Sequence, residues 1–332
     1  MGLLTQARYS TPGRPRGNAP TEQSEWALIL GGSSGFGLAT AHKLSEHGMN
    51  VCIVHRDRRG AMGRIEPEFE RIRERGVSLG TYTRDALSDD SRAAMRDELA
   101  ERLAEDDGRI RLLLHSIAFG NLKLIGPEAP AGSGARAALA AELGVDEEQL
   151  ADGADRLFEE GLDGVQGLTS PPGYAQDLFL EDEDMVRTIY AMGTSLLTWT
   201  QDLLARDLFA SDARVLGMTS EGNEVAWKGY AAVAAAKVAL ESVSRSIAVE
   251  MAHLGIRSNI VQAGVTDTPA LRLIPGNAHL KAQARTRNPF HRLTTPEDVA
   301  NVIYLLSRPE AAWINGAIIR VDGGEHVSGL RR

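Results

Sequence analysis

The chain has 332 residues, a formal net charge of −9 at pH 7, and 43% hydrophobic against 24% charged residues. This composition is typical of a soluble globular protein and excludes a collagenous or fibrous chain. The single cysteine, Cys52, excludes an intramolecular disulfide framework and a cysteine-rich metal site. No apolar run approaches the ~20 residues of a membrane span, and no secretory signal is visible, so we expect a cytoplasmic protein. The acidic balance argues against nucleic-acid binding.

Apolar runs and helical stretches alternate along most of the chain. Residues 1–24, rich in Pro and Gly, are predicted to form a disordered N-terminal arm. From residue 25 the alternation predicts an α/β fold, a Rossmann-type doubly wound parallel sheet whose strands are buried on both faces. The first half has predicted strands at 27–30, 51–54, 77–82 and 110–115, with helices near 64–75 and 89–105.

The alternation stops between residues 127 and 184, where no strand is predicted. This segment contains 15 acidic residues against two arginines, with helix-like stretches near 134–143 and 146–160. We interpret it as an acidic helical insertion in a single domain that covers residues 25–328. The alternation then resumes with helices near 184–207, 230–253 and 296–307 and strands at 214–218, 257–262 and 317–321.

A glycine-rich turn follows the first predicted strand. Glycine there lets the backbone approach a pyrophosphate, and the next helix offers free N–H groups to it. We therefore predict a dinucleotide site, although a glycine turn without a ligand is the alternative. The predicted contacts are Gly31, Ser33, Ser34, Gly35, Phe36 and Gly37.

A cationic cluster follows the second predicted strand, where an acidic residue would bind a ribose 2′-hydroxyl. His55 and Arg56 stand there, with further arginines at 58 and 59. Because arginine pairs well with phosphate, the cluster favours the 2′-phosphate of NADPH. Asp57 keeps NADH possible as the cofactor, and solvated loop charges are the alternative.

Three residues at or after the end of the predicted strand 214–218 could carry chemistry. Ser220 ends the strand, and six residues stand between Tyr230 and Lys237. This spacing is almost two helical turns, which would place both side chains on one helix face. We predict that the ammonium lowers the pKa of the phenol and that Ser220 adds a donor to an oxyanion. Taken alone, the pair would be an ordinary surface pair.

Together these motifs resemble the short-chain dehydrogenase/reductase family over about residues 25–328. The motifs are, in order, the three glycines, Asp85, the segment 115–118, Ser220, Tyr230, Lys237, the segment 259–268 and the segment 321–324. The Tyr–Lys spacing and the segment 115–120 are similar to the enoyl-acyl-carrier-protein reductase branch. With the ordinary glycine motif and Ser220, the chain is most similar to the NADPH-preferring type III enoyl reductases. The active-site Asn of the family has no match near 191–195.

The resemblance implies an NADPH-dependent reduction of an enoyl thioester, in fatty acid biosynthesis, by a homotetramer or dimer. Lys237 would hold the nicotinamide ribose, and Tyr230 would stabilise an enolate. Further cofactor contacts are implied at Asp85, Ala86, Ser116, Ile117, Ala118, Gly264, Val265 and Thr268, and substrate contacts at Phe119, Tyr230, Leu271 and Ile274. No metal is expected, because the histidines lack ligand spacing. Two alternatives remain: a 3-oxoacyl-type carbonyl reductase and a non-catalytic dinucleotide-binding regulator.

Residues 268–296 contain no Asp or Glu. Their cations are Arg272, Lys281, Arg285, Arg287 and Arg292. In the resembled family this is the mobile substrate loop, and a basic mouth would steer an acyl-carrier protein or the phosphates of coenzyme A. The alternatives are a solvated loop or salt bridges to the acidic insertion. We hypothesise that the insertion packs over this loop as a lid or as a subunit contact.

Overall fold

The computed structural model describes residues 23–128, 134–175 and 178–329. The predicted N-terminal arm lies outside the described residues, apart from its last two. Seven parallel strands form one sheet in the order β3-β2-β1-β4-β5-β6-β7. The strands are β1 (Glu25–Leu30), β2 (Asn50–His55), β3 (Leu79–Thr83), β4 (Arg109–His115), β5 (Phe209–Ser220), β6 (Ile256–Ala263) and β7 (Ile318–Val321).

Helices cover both faces of the sheet. Within the described residues they are α1 (Gly35–Glu46), α2 (Arg59–Arg73), α3 (Asp89–Ala104), α4 (Gly134–Leu143), α5 (Glu147–Glu159), α6 (Asp182–Ile189), α7 (Ser195–Ala205), α8 (Ala231–Glu250), α9 (Asn277–Arg287) and α10 (Pro296–Ser307). None of these described helices combines the length and the apolar character that crossing a membrane requires.

The core is divided into two layers by the sheet, because alternate side chains of a strand point to opposite faces. Leu28 of β1 packs with Trp199 of α7 on one face, and Ile29 packs with Phe69 of α2 on the other. All four side chains are buried, and each contributes on the order of 1.5–3 kcal/mol of transfer free energy. Burial on both faces explains why the strands appear in the sequence as continuous apolar runs.

The predicted α/β doubly wound sheet is confirmed. The chain order reverses between β1 and β4, the neighbours at the centre of the sheet, and ligands of such folds bind where the carboxyl ends of these strands diverge. A ligand site is therefore expected at the turns after β1, β2 and β4.

The predicted long helix 184–207 is divided. A π-helical turn, Tyr190–Thr194, separates α6 from α7. Gly193 lies in this turn against α8, where an added Cβ would stand 2.6 Å from the backbone oxygen of Ala236. The close approach of two helix backbones therefore accounts for the interruption.

The segment 268–296, which was predicted to be a loop, contains the helix α9 at its centre. The helix begins after Gly276, which has a φ of +73°, and its fully buried side chains are the small Ala282 and Ala284. The two small buried residues gave no apolar periodicity that would have indicated a helix.

The segment 127–184 contains α4, α5 and a 3-10 turn, Asp163–Val165. An isolated parallel bridge between Leu124 and Phe179 joins the two ends of the segment, and the Leu180 N–H donates to the oxygen of Leu124 at 2.8 Å. The two ends of the segment are therefore held side by side where it joins the rest of the domain.

Candidate active site

The turn between β1 and α1 has the geometry of an anion cradle. Gly31 and Gly35 have φ of +86° and +53°, a region that favours glycine. A Cβ on Gly31 would stand 2.6 Å from the oxygen of Ser116, and one on Gly37 would overlap the carbonyl of Gly31. The side chain of Ser34 does not cap α1, so the first N–H groups of the helix remain available to a bound phosphate.

A groove extends from this turn along the carboxyl ends of β2, β3 and β4. Of the predicted cofactor residues, the groove is lined by Gly31, Ser33, Ser34, Gly35, Phe36, His55, Arg56, Asp85, Ala86, Ser116, Ile117, Ala118 and Thr268. Gly37 lies beneath the turn instead. The Trp199 indole N–H donates to the oxygen of Ala86 at 2.9 Å, so a core side chain fixes this wall of the groove. We call this groove the dinucleotide lobe.

His55 and Arg56 have different environments at the edge of the dinucleotide lobe. The His55 side chain is only 1% exposed, and its ring nitrogens lie 3.2 Å from the Asp57 carboxylate and 3.3 Å from the Thr83 hydroxyl. The Arg56 side chain is exposed, with its guanidinium carbon 3.6 Å from the centre of the Phe119 ring. The imidazole is therefore committed to internal contacts, whereas the guanidinium can reach a ligand.

A second, mostly apolar cavity continues from the dinucleotide lobe. The two share Phe36, Thr268 and the segment 116–118. The second cavity is lined by the predicted residues Ser220, Tyr230, Lys237, Gly264, Val265, Leu271 and Ile274. Phe119, predicted to contact substrate, lines the dinucleotide lobe instead. We call the second cavity the substrate lobe.

Ser220 and Tyr230 converge in the substrate lobe. Ser220 is the last residue of β5, and Tyr230 is the N-cap of α8 rather than a residue within it. Their hydroxyl oxygens are 3.4 Å apart. Gly222 makes room for the phenol, because a Cβ there would overlap the Tyr230 ring. Two hydroxyls are therefore presented to one region of the cavity.

Lys237 lies deeper, on the second turn of α8. Its ammonium donates to the Met218 oxygen at 2.8 Å, and burial lowers the pKa of the amine to about 8, with a smaller opposing contribution from Glu241. Burial raises the pKa of Tyr230, opposed only by the hydrogen bond with Ser220. The predicted lowering of the Tyr230 pKa is therefore wrong for this structure, since desolvation of the phenol dominates.

His115 is a buried polar residue beside this site. Its Nε2 lies 2.8 Å from the Ser195 hydroxyl, which in turn donates to the Ala191 oxygen at 3.1 Å. Burial, together with the charge of Lys237, lowers the pKa of His115 to about 3, so the imidazole is neutral. Ser195 is therefore the residue of the stretch 191–195 that contacts His115, and this is the stretch in which the family's Asn has no match.

Apolar side chains that were not predicted as site residues form much of the substrate lobe. These are Leu122, Met192, Met218, Trp227, Val233 and Leu280. They come from five different parts of the chain, so no local pattern marks them in the sequence. The lobe can therefore hold an extended apolar group beside the two hydroxyls.

Every cation of residues 268–296 lies within 4.0 Å of a carboxylate. The pairs are Arg272 and Lys281 with Asp267, Arg285 with Asp163, Arg287 with Glu221 and Glu325, and Arg292 with Asp298. These ion pairs neutralise the cations that we expected to form a basic entrance to the site. Within the described part of the insertion, residues 134–175 and 178–184, Asp163 is the one carboxylate that pairs with these cations, so there the alternative of salt bridges to the insertion holds for Arg285.

The insertion packs against the outer side of α9. Besides the Asp163–Arg285 ion pair, the Thr169 hydroxyl lies 2.7 Å from Nε2 of His279, whose ring centre is 4.9 Å from that of Phe158. Near Tyr230, the Lys228 ammonium donates to the Glu128 carboxylate at 2.6 Å. The insertion therefore contacts both α9 and the segment before Tyr230, and its role as a lid stays a hypothesis.

The chain is similar in sequence to a family model and to several known enzymes. A family model described as enoyl-(acyl carrier protein) reductase matches residues 133–326. A cis-4-hydroxycyclohexanecarboxylate dehydrogenase from Sinomonas cyclohexanicum is 28% identical over 299 residues, which are 90% of this chain and 95% of that protein. A 3-oxoacyl-(acyl-carrier-protein) reductase from Mycobacterium bovis is 30% identical over 200 residues, 58% of this chain and 79% of that protein.

Solved structures share the fold. An enoyl-(acyl-carrier-protein) reductase (NADH) from Aquifex aeolicus has a TM-score of 0.66 and 21% identity, covering 93% of this chain and 99% of that one. A short-chain dehydrogenase from Burkholderia cenocepacia, in complex with NADP, has a TM-score of 0.65 and 22% identity, covering 92% and 98%. Since the family model matches more than half of the chain, the predicted resemblance is confirmed, and the protein belongs to the short-chain dehydrogenase/reductase family of oxidoreductases.

Proposed function

We propose that the protein is an NADPH-dependent reductase of the 2,3 double bond of an enoyl thioester. The observation that carries the proposal is the convergence of the Tyr230 and Ser220 hydroxyls, 3.4 Å apart, in an apolar lobe open to the dinucleotide lobe. A thioester carbonyl oxygen that accepts from these hydroxyls gains stabilisation as an enolate. The description of the matching family model supports the same choice.

The side chains have separate tasks in this mechanism. A bound nicotinamide supplies the hydride that reduces the β-carbon. The phenol of Tyr230 stays protonated because burial raises its pKa, so it donates a hydrogen bond to the carbonyl oxygen. Lys237 keeps a positive charge near the site below about pH 8 and would hold the ribose hydroxyls. The apolar walls of the substrate lobe exclude water from the reacting carbons.

NADPH is the cofactor that the edge of the dinucleotide lobe favours. Arg56 and Arg58 line this edge and have no carboxylate partner among residues 23–128, 134–175 and 178–329. Asp57, the group that would select NADH, accepts a hydrogen bond from the His55 imidazole. A guanidinium can bind a 2′-phosphate through two parallel hydrogen bonds.

The substrate we propose is an acyl thioester on acyl-carrier protein or coenzyme A. The apolar lining of the substrate lobe suits an acyl chain. The cations of residues 268–296 are paired with carboxylates. We therefore propose that the shape of the cavity entrance, rather than an exposed basic surface, recognises the carrier.

The test follows NADPH and NADH oxidation with crotonyl and acetoacetyl thioesters. Oxidation of NADPH by the crotonyl thioester, at the higher kcat/KM, is the expected result. Binding of NADPH without oxidation by either thioester, unchanged in Tyr230→Phe, would instead identify a non-catalytic regulator.

Carbonyl reduction is the second candidate, favoured by the 30% identity to a 3-oxoacyl-(acyl-carrier-protein) reductase. In that reaction Tyr230 would give its proton to the alkoxide oxygen, with Ser220 orienting the ketone. Turnover of the acetoacetyl thioester alone would select this candidate over enoyl reduction.

A further inference from the structure

Arg287 joins two buried carboxylates at the C-terminal end of α9. Its Nη2 donates to both oxygens of Glu221, at 2.6 and 2.7 Å, and to Oε1 of Glu325 at 2.8 Å. Glu325 is 1% exposed and Glu221 is 9% exposed. A guanidinium in this position compensates two largely buried negative charges.

Each carboxylate belongs to a segment of the active site. Glu221 directly follows Ser220, begins a 3-10 turn and lines the substrate lobe. Glu325 accepts a hydrogen bond through Oε2 from the Val265 N–H at 3.2 Å, and Val265 lines the same lobe. Arg287 therefore contacts, directly or through one carboxylate, the Ser220 turn and the loop that follows β6.

We propose that Arg287 is a positioning residue of the active site, which ties the end of α9 to the Ser220 turn and to the Val265 loop. Leu280 on α9 lines the substrate lobe, so the placement of this helix beside the lobe and the alignment of Ser220 depend on the same ion cluster. The proposal rests on the proposed function for its kinetic consequences only.

Among the described residues, three further charged or titratable groups lie near this cluster: His326, Glu224 and Arg320. His326 has Nδ1 3.8 Å from the Glu221 carboxylate and Nε2 3.2 Å from that of Glu224. Glu224 also accepts from Arg320 at 3.3 Å. Burial raises the pKa of Glu325, and the charge of Arg287 opposes that rise. Loss of Arg287 would therefore leave Glu325 beside the Glu221 carboxylate without its compensating cation, so that Glu325 ionises less readily.

The chain offers a matched control two positions earlier on α9. Arg285 also binds a carboxylate, in its case through Nε and Nη2, but its partner, Asp163, lies in the insertion. Arg287→Met and Arg285→Met remove the same chemical group from one helix. Arg287→Lys keeps a cation near both carboxylates.

The first experiment needs no substrate. Amide hydrogen exchange is measured on both Met variants bound to NADP. In Arg287→Met we expect exchange within residues 220–224 and 264–268 to accelerate by about tenfold or more, the scale of a lost hydrogen bond to a charged group. In Arg285→Met we expect acceleration in α9 and the insertion only. Equal exchange of 220–224 and 264–268 in the two variants would overturn the proposal.

The second experiment uses the pH dependence of kcat/KM with whichever thioester the wild type reduces. The acid limb should move to higher pH in Arg287→Met, should return in Arg287→Lys, and should not move in Arg285→Met. At the optimum pH we expect a loss of about 10²-fold in Arg287→Met, as misplacement of reacting groups produces. A loss of activity with an unmoved acid limb would mean a purely structural role. Absence of turnover in the wild type would refute the proposed function and leave the exchange result intact.

Discussion

The two ends of the ligand groove each carry several arginines in the sequence, but these arginines differ in their partners in the structure. At the dinucleotide end, Arg56 rests on the Phe119 ring and is not paired with a described carboxylate. At the substrate end, every cation of residues 268–296 has a carboxylate within 4.0 Å. The difference shows that a run of cations indicates an anion site only where tertiary partners leave it unpaired. The unpaired Arg56 lines the dinucleotide lobe, and the paired Arg287 connects the end of α9 to the Ser220 turn through Glu221.

The largest effect should come from Tyr230→Phe, which keeps the ring and removes the donor. We expect kcat to fall by about 10²–10⁴-fold, the contribution of a positioned acid or donor. NADPH affinity should change little, and Ser220→Ala should cause a smaller loss. Steady-state kinetics with a crotonyl thioester measures the change. Retention of the wild-type kcat by the Phe variant would remove the phenol from the mechanism.

At the dinucleotide end, Arg56→Met should weaken NADPH binding by about tenfold or more, the scale of a lost charge-assisted hydrogen bond. NADH binding should be nearly unchanged, because NADH has no 2′-phosphate. The matched control is Arg187→Met, since Arg187 contacts the same Phe119 ring at 4.9 Å. Titration of cofactor fluorescence provides both dissociation constants. A parallel loss of NADH affinity would show that Arg56 supports the groove rather than reads the phosphate.

The buried ammonium predicts the alkaline limb of activity. Its pKa is about 8, and deprotonation as the pH rises through this value removes the charge near Tyr230. We therefore expect kcat/KM to decline above about pH 8. Glu241→Gln should move this limb to lower pH, because the charge of Glu241 raises the pKa of Lys237.

Glu241 also accepts hydrogen bonds from Thr219 at 2.7 Å and Asn223 at 2.6 Å. The Gln side chain can still accept both, so the variant separates charge from structure. An alkaline limb at the same pH in both proteins would assign that limb to another group.

The smallest effect should come from the contact between the insertion and α9. The Asp163–Arg285 pair is partly exposed, with side-chain exposures of 19% and 35%, and such pairs contribute little. Asp163→Asn should therefore raise the KM for the thioester by only a few-fold, about the effect of 1 kcal/mol or less, with kcat unchanged. A loss of kcat/KM comparable to that of Arg287→Met would mean that the contact with the insertion also controls the reacting groups.

The sequence predicted the features that depend on neighbouring residues. Continuous apolar runs located β2 and β4 within about one residue at each end, because these strands are buried on both faces. The glycine turn was found because Gly31 and Gly35 require backbone conformations that other residues rarely adopt.

Features that depend on distant contacts were not predictable in this way. The π-helical turn depends on Gly193 approaching α8, and the rise of the Tyr230 pKa depends on burial rather than on spacing. The cluster around Arg287 joins residues that are 66 and 38 positions away, so no local pattern shows it. Glu221 beside Ser220 is the one signal of it in the sequence, and a charged residue next to a predicted catalytic serine has no unique interpretation.

A crystal structure of the complex with NADP tests the central claim most directly. The account predicts a 2′-phosphate hydrogen-bonded to Arg56, phosphates against the N-terminus of α1, and the nicotinamide beside Tyr230 and Lys237. A dinucleotide bound outside this groove, or a nicotinamide remote from the Tyr230 hydroxyl, would contradict it.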